Sequence, residues 1–275
     1  MFKKTWFFKK NIIITGASSG IGFELAKLLV CEYECNVLGI ARNLDKLVKA
    51  KEIIDVSNIK KGSFVFKQMD VSDLKNWIEL KNETDKNNFD VDVIINNAGI
   101  MLPFNKFENQ TVEDILKVIN INFYPIVYSY KVFVEHLKRK KGAIINISSS
   151  SALCPVVGAG VYGSSKSAIK SLTEVLAVEN KDLYVSCVMP GFTTTDLFRE
   201  QGEIKGLVKK VATPKEKMAK KILYKLKKKR KKIIVGLDAH LMHWLYKFSP
   251  SFATRIIAWV LKSSKDELFI NVFND

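Results

Sequence analysis

Tyr162 and Lys166 stand four residues apart in the run Val161-Tyr162-Gly163-Ser164-Ser165-Lys166, and Ser149 lies thirteen residues before the tyrosine. Positions i and i+4 share one face of a helix. A free tyrosine ionises near a pH of about 10. A fixed ammonium beside it favours the phenolate and lowers that value. A general acid or base works best with a pKa near the working pH. The pair therefore has the make-up of a tuned acid that exchanges a proton with a substrate oxygen such as a carbonyl. The same spacing also occurs in ordinary helices with a surface lysine, so the neighbouring segments decide.

The first of these is Thr15-Gly16-Ala17-Ser18-Ser19-Gly20-Ile21-Gly22. The apolar run Asn11-Ile12-Ile13-Ile14 before it reads as a buried strand. Phe23, Leu25, Ala26, Leu28 and Leu29 after it follow helical periodicity. Glycines between the two let the backbone turn tightly and approach a pyrophosphate. The helix start then offers free N–H groups and a positive dipole end. The spacing is Gly-x-x-x-Gly-x-Gly, not the commoner Gly-x-Gly-x-x-Gly.

Further strands end in polar residues. Val91-Asp92-Val93-Ile94-Ile95 leads into Asn96-Asn97-Ala98-Gly99, and Ile144-Ile145-Asn146-Ile147 into Ser148-Ser149. Val185-Ser186-Cys187-Val188-Met189 leads into Pro190-Gly191, and Phe64 to Met69 leads into Asp70. In open α/β sheets that C-terminal edge is where ligands bind.

With these motifs in this order, residues 8–200 closely resemble the short-chain dehydrogenase/reductase family. The resemblance implies a Rossmann-like α/β fold, a doubly wound parallel sheet of about seven strands with helices on both faces. It implies a catalytic set of Ser149, Tyr162, Lys166 and an asparagine. Asn122 is the better match for that asparagine and Asn120 the runner-up, and Pro125 stands where the family commonly has glycine. The cofactor contacts it implies are Gly16, Ser18, Ser19, Gly20, Ile21, Gly22, Arg42, Asn43, Asp70, Val71, Asn97, Ala98, Gly99, Tyr162, Lys166, Pro190, Gly191, Thr193 and Thr195. In this scheme Ser149 hydrogen-bonds the substrate oxygen, Tyr162 supplies the proton, and Lys166 lowers its pKa and holds the nicotinamide ribose. Asn122 supports a water chain. The expected activity is an NADP(H)-dependent carbonyl reductase or alcohol dehydrogenase, assembled as a homodimer or homotetramer.

The second strand, Asn36 to Ala41, speaks to cofactor choice. An acid at its end would bond the ribose hydroxyls of NAD and repel a 2′-phosphate. Here Ala41 takes that place and Arg42 follows. Arginine forks onto phosphate, and the pattern resembles the NADP-preferring members. Asn43 stands next to it.

Composition bounds the rest. A chain of 275 residues, 47% hydrophobic and 26% charged, suits one domain with a large core. Alternating strands and helices suit a parallel sheet. The four cysteines form no Cys-x-x-Cys motif, so free thiols in a reducing cytoplasm are expected, with no metal. Cys31 and Cys35 fall on a helix by spacing. His240 and His243 share a helical face but lack an acidic or cysteine partner, and His136 has no evident site. The basic, aromatic N-terminus is too short in apolar residues for a signal-peptide core and runs directly into the first strand.

A net charge of +16 raises nucleic-acid binding as an alternative. The basic residues are spread along helices and no nucleic-acid motif accompanies them. A non-catalytic nucleotide-bound regulator is a second alternative, which the Ser–Tyr–Lys set argues against.

The C-terminal third reads as an extension, 213–275, after a substrate loop at 196–212. Phe192, Leu197, Phe198 and Leu207 suggest an apolar or lipid-like substrate. Thr213-Pro214-Lys215-Glu216 has the form of a capping box with proline at the first helical position. The lysine run 225–232 leads to a last strand, Ile233-Ile234-Val235, and then to amphipathic helices bearing Trp244, Phe252 and Trp259. No stretch reaches about 20 apolar residues, so a spanning helix is not expected. Residues 225–261 could lie on an anionic membrane surface, or form a lid or dimer contact.

Overall fold

The computed structural model describes residues 5–195, 197 and 206–273. Short apolar runs build its sheet. The main strands are β1 (Asn11–Thr15), β2 (Asn36–Ala41), β3 (Ser63–Gln68), β4 (Val93–Asn96), β5 (Ala143–Ile147) and β6 (Tyr184–Pro190). Two short strands, β7 (Thr193–Thr194) and β8 (Thr213–Pro214), pair with each other before β9 (Lys232–Val235). The large sheet has the order β3-β2-β1-β4-β5-β6-β9. All its pairings are parallel.

Between the strands run α1 (Gly20–Tyr33), α2 (Leu44–Ser57), α3 (Leu74–Lys86), α4 (Val112–Asn122), α5 (Tyr124–Arg139) and α6 (Gly160–Glu179). The C-terminal part adds α7 (Gly206–Val211), α8 (Lys215–Leu226), α9 (Leu237–Phe248), α10 (Pro250–Ser263) and α11 (Ile270–Phe273).

Strand side chains alternate between faces, and here both faces are apolar. Ile12, Ile14, Val37, Ile95 and Ile145 point to one side, where α1, α2 and α8 cover them. Ile13, Ile40, Ile94 and Ile144 point to the other, where Trp77 of α3, Phe133 of α5 and Leu176 of α6 close the layer. Continuous apolar strands are what a sheet covered on both sides requires. Trp6 and Phe7 join the first layer, and the Trp6 indole donates to the Leu226 carbonyl at 2.8 Å.

The chain runs outward from β1 to β3 and returns to β4 beside β1. β1 and β4 stay paired, but the chains leaving them turn to opposite faces of the sheet, which leaves a crevice at the strand ends. Below it sits a buried polar chain. The Asn96 amide donates to Ser129 Oγ at 2.9 Å and to Asn146 Oδ1 at 2.8 Å, and Asn146 donates to Thr173 Oγ1 at 2.9 Å. It ties β4, β5, α5 and α6 together within the core.

Beyond α8, Ala239 of α9 packs on Cys187 and Met189 of β6, and the rest of the last helices builds away from the sheet. Met242, Ala253, Leu261, Leu268 and Phe269 form a third apolar cluster with Phe104, Cys154, Val156 and Ala159 from the loops after β4 and β5.

Several local expectations change. Thr213 caps no helix. Its N–H donates to the Phe192 carbonyl at 2.8 Å as part of β8, and α8 begins without a side-chain cap. Pairing with β7 claims the backbone that a cap would have left turned toward the helix. Cys35 lies past the end of α1, because Glu34 takes a left-handed conformation with φ of 56° and ends the helix. Within the lysine run, residues 228–232 are exposed, and several of its side chains also make contacts with the fold. Lys225 donates to the Ile234 carbonyl, Lys231 donates to the Ala177 carbonyl at 2.8 Å, and Lys227 and Lys229 lie over the rings of Tyr33 and Trp6. Phe198 lies outside the described residues, as does the Leu207 side chain.

Asn146→Ala tests the buried chain. It leaves one N–H of the buried Asn96 amide without an acceptor, at about 1–3 kcal/mol, while the Asn96 bond to Ser129 and the Thr173 bond to the Ile169 carbonyl remain. Urea unfolding should show a loss in that range or above, and a change below about 0.5 kcal/mol would show that the chain adds nothing.

Candidate active site

The crevice at the strand ends is a cavity of about 330 Å³. Its floor begins at the loop after β1. Gly16 has φ of +67°, and a Cβ there would stand 2.8 Å from the Asn97 amide nitrogen. A Cβ at Gly22 would fall on the Gly16 carbonyl and the same amide. The backbone can pass only without side chains at these points. Asn97 fixes the passage: its amide donates to Thr15 O at 3.0 Å and to Gly16 O at 3.3 Å, and its backbone N–H donates to Thr15 Oγ1 at 3.0 Å. Ser19, the residue before α1, makes no side-chain cap bond. The first N–H groups of α1 therefore face the cavity with the positive end of the helix dipole. That is a cradle for a pyrophosphate, and its glycines and dipole fit one.

The opposite wall belongs to α6. Tyr162 and Lys166 both line the cavity, and the Lys166 Nζ stands 5.6 Å from the centre of the Tyr162 ring. The Tyr162 hydroxyl is hydrogen-bonded to Ser149, whose Oγ also accepts from the Ser151 N–H at 3.2 Å. Lys166 is buried, and Nζ donates to the Ile147 carbonyl at 3.2 Å.

Burial governs the electrostatics. It pushes the Tyr162 phenol up to about 12, against the Ser149 hydrogen bond that favours the phenolate. It pulls the Lys166 ammonium down to about 8. The expectation that Lys166 lowers the tyrosine pKa is therefore corrected for the chain by itself. Removal from water disfavours each charged form, and at 5.6 Å from the ring the ammonium does not reverse it.

Asn122, not Asn120, belongs to this group. Asn122 is buried, whereas Asn120 is exposed. The Asn122 side chain accepts from the Ile100 N–H at 2.8 Å and donates to Ile100 O and Ser165 Oγ, both at 3.0 Å. It clamps the loop after β4 onto α6. Gly99 passes between this side chain and Lys166, since a Cβ there would stand 3.1 Å from Asn122 Oδ1 and 3.2 Å from Lys166 Nζ.

The cavity gathers Gly16, Ser19, Gly20, Ile21, Asn97, Ala98, Gly99, Ser149, Tyr162, Lys166, Pro190, Gly191, Thr193 and Thr195 from the sequence reading. Ser18, Gly22, Arg42, Asn43, Asp70, Val71 and Asn122 do not line it. Local bonds explain several. The Asn43 side chain caps α2 by accepting from the Lys46 N–H at 2.8 Å. The Asp70 carboxylate accepts from the Ser72 N–H and hydroxyl. Val71 is packed in the core. Arg42 stands exposed at the end of β2.

Two functional candidates escaped the sequence reading. Lys46, on the first turn of α2, lines the cavity. The signal was its place four residues after Arg42. Asp238, at the start of α9, accepts from the Phe192 N–H at 2.6 Å. Burial pushes its carboxyl up, while the N–H groups of Phe192, Ala239 and Asp238 itself oppose that. A Cβ on Gly191 or Gly236 would strike this carboxylate. Asp238 thus ties the loop after β6 to the C-terminal helices. No local motif announces a bond across 46 residues.

Among the described residues no cluster of His, Cys, Asp and Glu could hold a metal. His136 instead meets the Val91 carbonyl at 3.0 Å and Asp90 at 3.4 Å.

Comparison with known proteins gives this geometry a lineage. The family model described as short chain dehydrogenase matches residues 10–206. The 11-beta-hydroxysteroid dehydrogenase-like 2 of Arabidopsis thaliana is 34% identical over 201 residues, covering 70% of this chain and 62% of that protein. The 3-ketodihydrosphingosine reductase of Mus musculus is 33% identical over 208 residues, covering 72% of this chain and 60% of that protein. The chain thus spans about three fifths of the length of these curated relatives. Among solved structures, ElxO with NADP bound has a TM-score of 0.72 and 27% identity, covering 83% of this chain and 97% of that one. The family model takes in the glycine loop, the strand ends and the Tyr–Lys helix alike, and the chain belongs to the short-chain dehydrogenase family.

Proposed function

We propose that the chain is an NADP(H)-dependent oxidoreductase that interconverts a carbonyl and an alcohol. The observation that carries this reading is the placement of Ser149, Tyr162 and Lys166 on the wall facing the glycine cradle of one cavity. The bound nicotinamide would supply or accept the hydride. The α1 N-terminus and the loop at Gly16 would hold its pyrophosphate, and Gly99, Lys166, Pro190 and Thr195 would flank its reactive end.

In the reductive direction a carbonyl oxygen would lie between the Ser149 and Tyr162 hydroxyls. Tyr162 would donate its proton as charge develops on that oxygen. A phenol pushed up to about 12 is fully protonated at neutral pH, as a proton donor must be. Lys166, charged below about 8, would stabilise the phenolate left behind. Asn122 would act by position, holding Ile100 and Ser165 in register. Asp238 would hold the Pro190–Phe192 loop over the cofactor.

The substrate end of the cavity is lined by Met101, Phe104, Val156, Ala159, Phe192 and Leu197. These side chains favour an apolar or lipid-like substrate, and the names of the hydroxysteroid and ketosphingosine relatives support that class. We propose further that the whole chain works as one domain, because β9 extends the main sheet and the C-terminal helices wall the substrate end.

Tyr162→Phe should lower turnover of ketone substrates with NADPH by about 10²–10⁴-fold while leaving NADPH binding intact. Turnover within a few-fold of the parent would refute the proton-donor assignment. The measurement is nicotinamide absorbance across a panel of apolar ketones, aldehydes and alcohols.

The cations after β2 should read the 2′-phosphate. Arg42→Ala should weaken NADPH by roughly 10–100-fold and NADH little, since a hydrogen bond to a charged group contributes about 1.5–3 kcal/mol. Lys46→Ala should act in the same direction. Equal losses for the two cofactors in titration calorimetry would remove both residues from that role.

Lys166 gives a pH signature. Its folded pKa lies near 8 against an ordinary 10.5. Between those values the unfolded chain holds a proton that the folded chain has released, so stability rises with pH across that window. A shift of that size corresponds to about 3 kcal/mol. Lys166→Met should therefore be more stable than the parent at pH 7, by an amount up to that figure, and should lose the rise toward pH 10, while turnover collapses. Denaturant unfolding at both pH values checks it, and a less stable variant would show that the ammonium is well solvated in place.

A further inference from the structure

The C-terminal helix pair presents an apolar face to the outside as well as one to the cavity. On α9, Leu237, Leu241, Trp244 and Phe248 fall within roughly 60° of one another at 3.6 residues per turn. They are 89%, 60%, 64% and 87% exposed. On α10, Phe252 and Trp259 share a second stripe and are 53% and 66% exposed. The inward sides, with Ala239, Met242, Ala253 and Leu261, are buried. A folded chain has no reason of its own to hold six large apolar side chains in water on adjacent helices, and such patches mark interaction sites.

The charges say what the face fits. Residues 239–265 contain Lys247, Arg255, Lys262 and Lys265 and no Asp or Glu. Lys247, Arg255 and Lys262 are exposed one step around each helix from the apolar stripes. Lys247 also lies over the Trp244 ring at 5.4 Å. A symmetric pairing with a second copy would set this acid-free, basic segment against itself. Like charges brought together across an interface are costly. Tryptophan and phenylalanine flanked by long cations match a layered partner instead, apolar below and anionic at its surface. Among the described residues no helix is long and apolar enough to cross a membrane.

We propose that the outer face of α9 and α10 docks on an anionic lipid bilayer, with Trp244, Phe248, Phe252 and Trp259 in the interface and Lys247, Arg255 and Lys262 on the headgroups. The partner is the bilayer surface, and the seven cations of 225–232 are not needed for it. The inner faces of the same helices pack on Phe104, Val156 and Ala159 beside the substrate end of the cavity. The docking stands apart from the catalytic reading, and its test needs no substrate.

The full chain is sedimented with phosphatidylcholine vesicles, with and without phosphatidylserine, at low and high salt. Binding should require phosphatidylserine and weaken at high salt without vanishing. Arg255→Gln and Lys262→Gln should each lower the partition coefficient about fivefold. Trp244→Glu with Phe248→Glu should abolish sedimentation while the melting temperature and circular dichroism stay unchanged, which excludes unfolding as the cause. The proposal is overturned if the parent stays in the supernatant with phosphatidylserine vesicles at low salt, or if the double variant binds as well as the parent. It is equally overturned if phosphatidylcholine alone binds as tightly. A parent that fails to sediment but is dimeric, with a monomeric double variant, would assign the face to a protein contact instead.

Discussion

The Asn97 side chain is the constraint on which the site depends. Its amide reaches Thr15 O and Gly16 O across the gap where the sheet reverses direction. Two parallel strands, β1 and β4, are thereby held close at the ends from which their connections diverge. Glycine at 16 and 22 is a consequence of this approach, since any side chain there would strike the amide or the Gly16 carbonyl. The free N–H groups of α1 and the cavity both follow. The N–H groups of Asn97 and Ala98 reinforce the same junction by donating to Thr15 Oγ1 at 3.0 Å, and Gly99 beyond them passes beside Asn122 and Lys166.

The same geometry fixes the electrostatics. Ser148 accepts nothing from Lys166 directly but donates its hydroxyl to the Lys166 carbonyl at 2.7 Å, which seats α6 on the end of β5. That seating buries the ammonium and brings the phenol to Ser149. A buried ammonium costs stability, and the chain keeps it where a phenolate would form. The phenol and the ammonium are pushed in opposite directions by one cause, loss of water. A positive charge held uncomfortably and an acid held protonated make a pair that gains when the proton leaves, because the phenolate then meets the ammonium.

What was legible in the residues was what repeats locally. Apolar strands ending in polar residues gave the sheet and its ligand edge, and helical spacing put Tyr162 and Lys166 on one wall. The choice between Asn122 and Asn120 needed burial, because two asparagines two residues apart sit on different sides of α4. The capping box at Thr213 failed because its motif is satisfied by local bonds only when no strand competes for the backbone, and β7 competes. Tuning of the phenol by Lys166 was read from charge alone, and desolvation, which no spacing reports, was larger. Asp238 was invisible because its partner, Phe192, comes from another element, and Lys46 carried only the weak signal of a second cation soon after Arg42. Asn43 and Asp70 were plausible by type yet their side chains close local turns.

The C-terminal helices show why exposure, not hydrophobicity, carries information about partners. Met242 and Trp244 are both apolar and two residues apart, yet one is in the cluster beside the cavity and the other faces out. The helix period separates the two roles on one element. Asp238 joins them mechanically: its carboxylate, just before the outward stripe continues through Leu241, also grips the Phe192 N–H on the loop after β6. A force that repositions α9 would be felt at the loop that lines the cavity with Pro190, Gly191 and Thr195. The loop that lines the cavity and the helix that carries the outward stripe thus meet at the Asp238 carboxylate, and Phe192 packs beside it against the cluster of Met242 and Ala253.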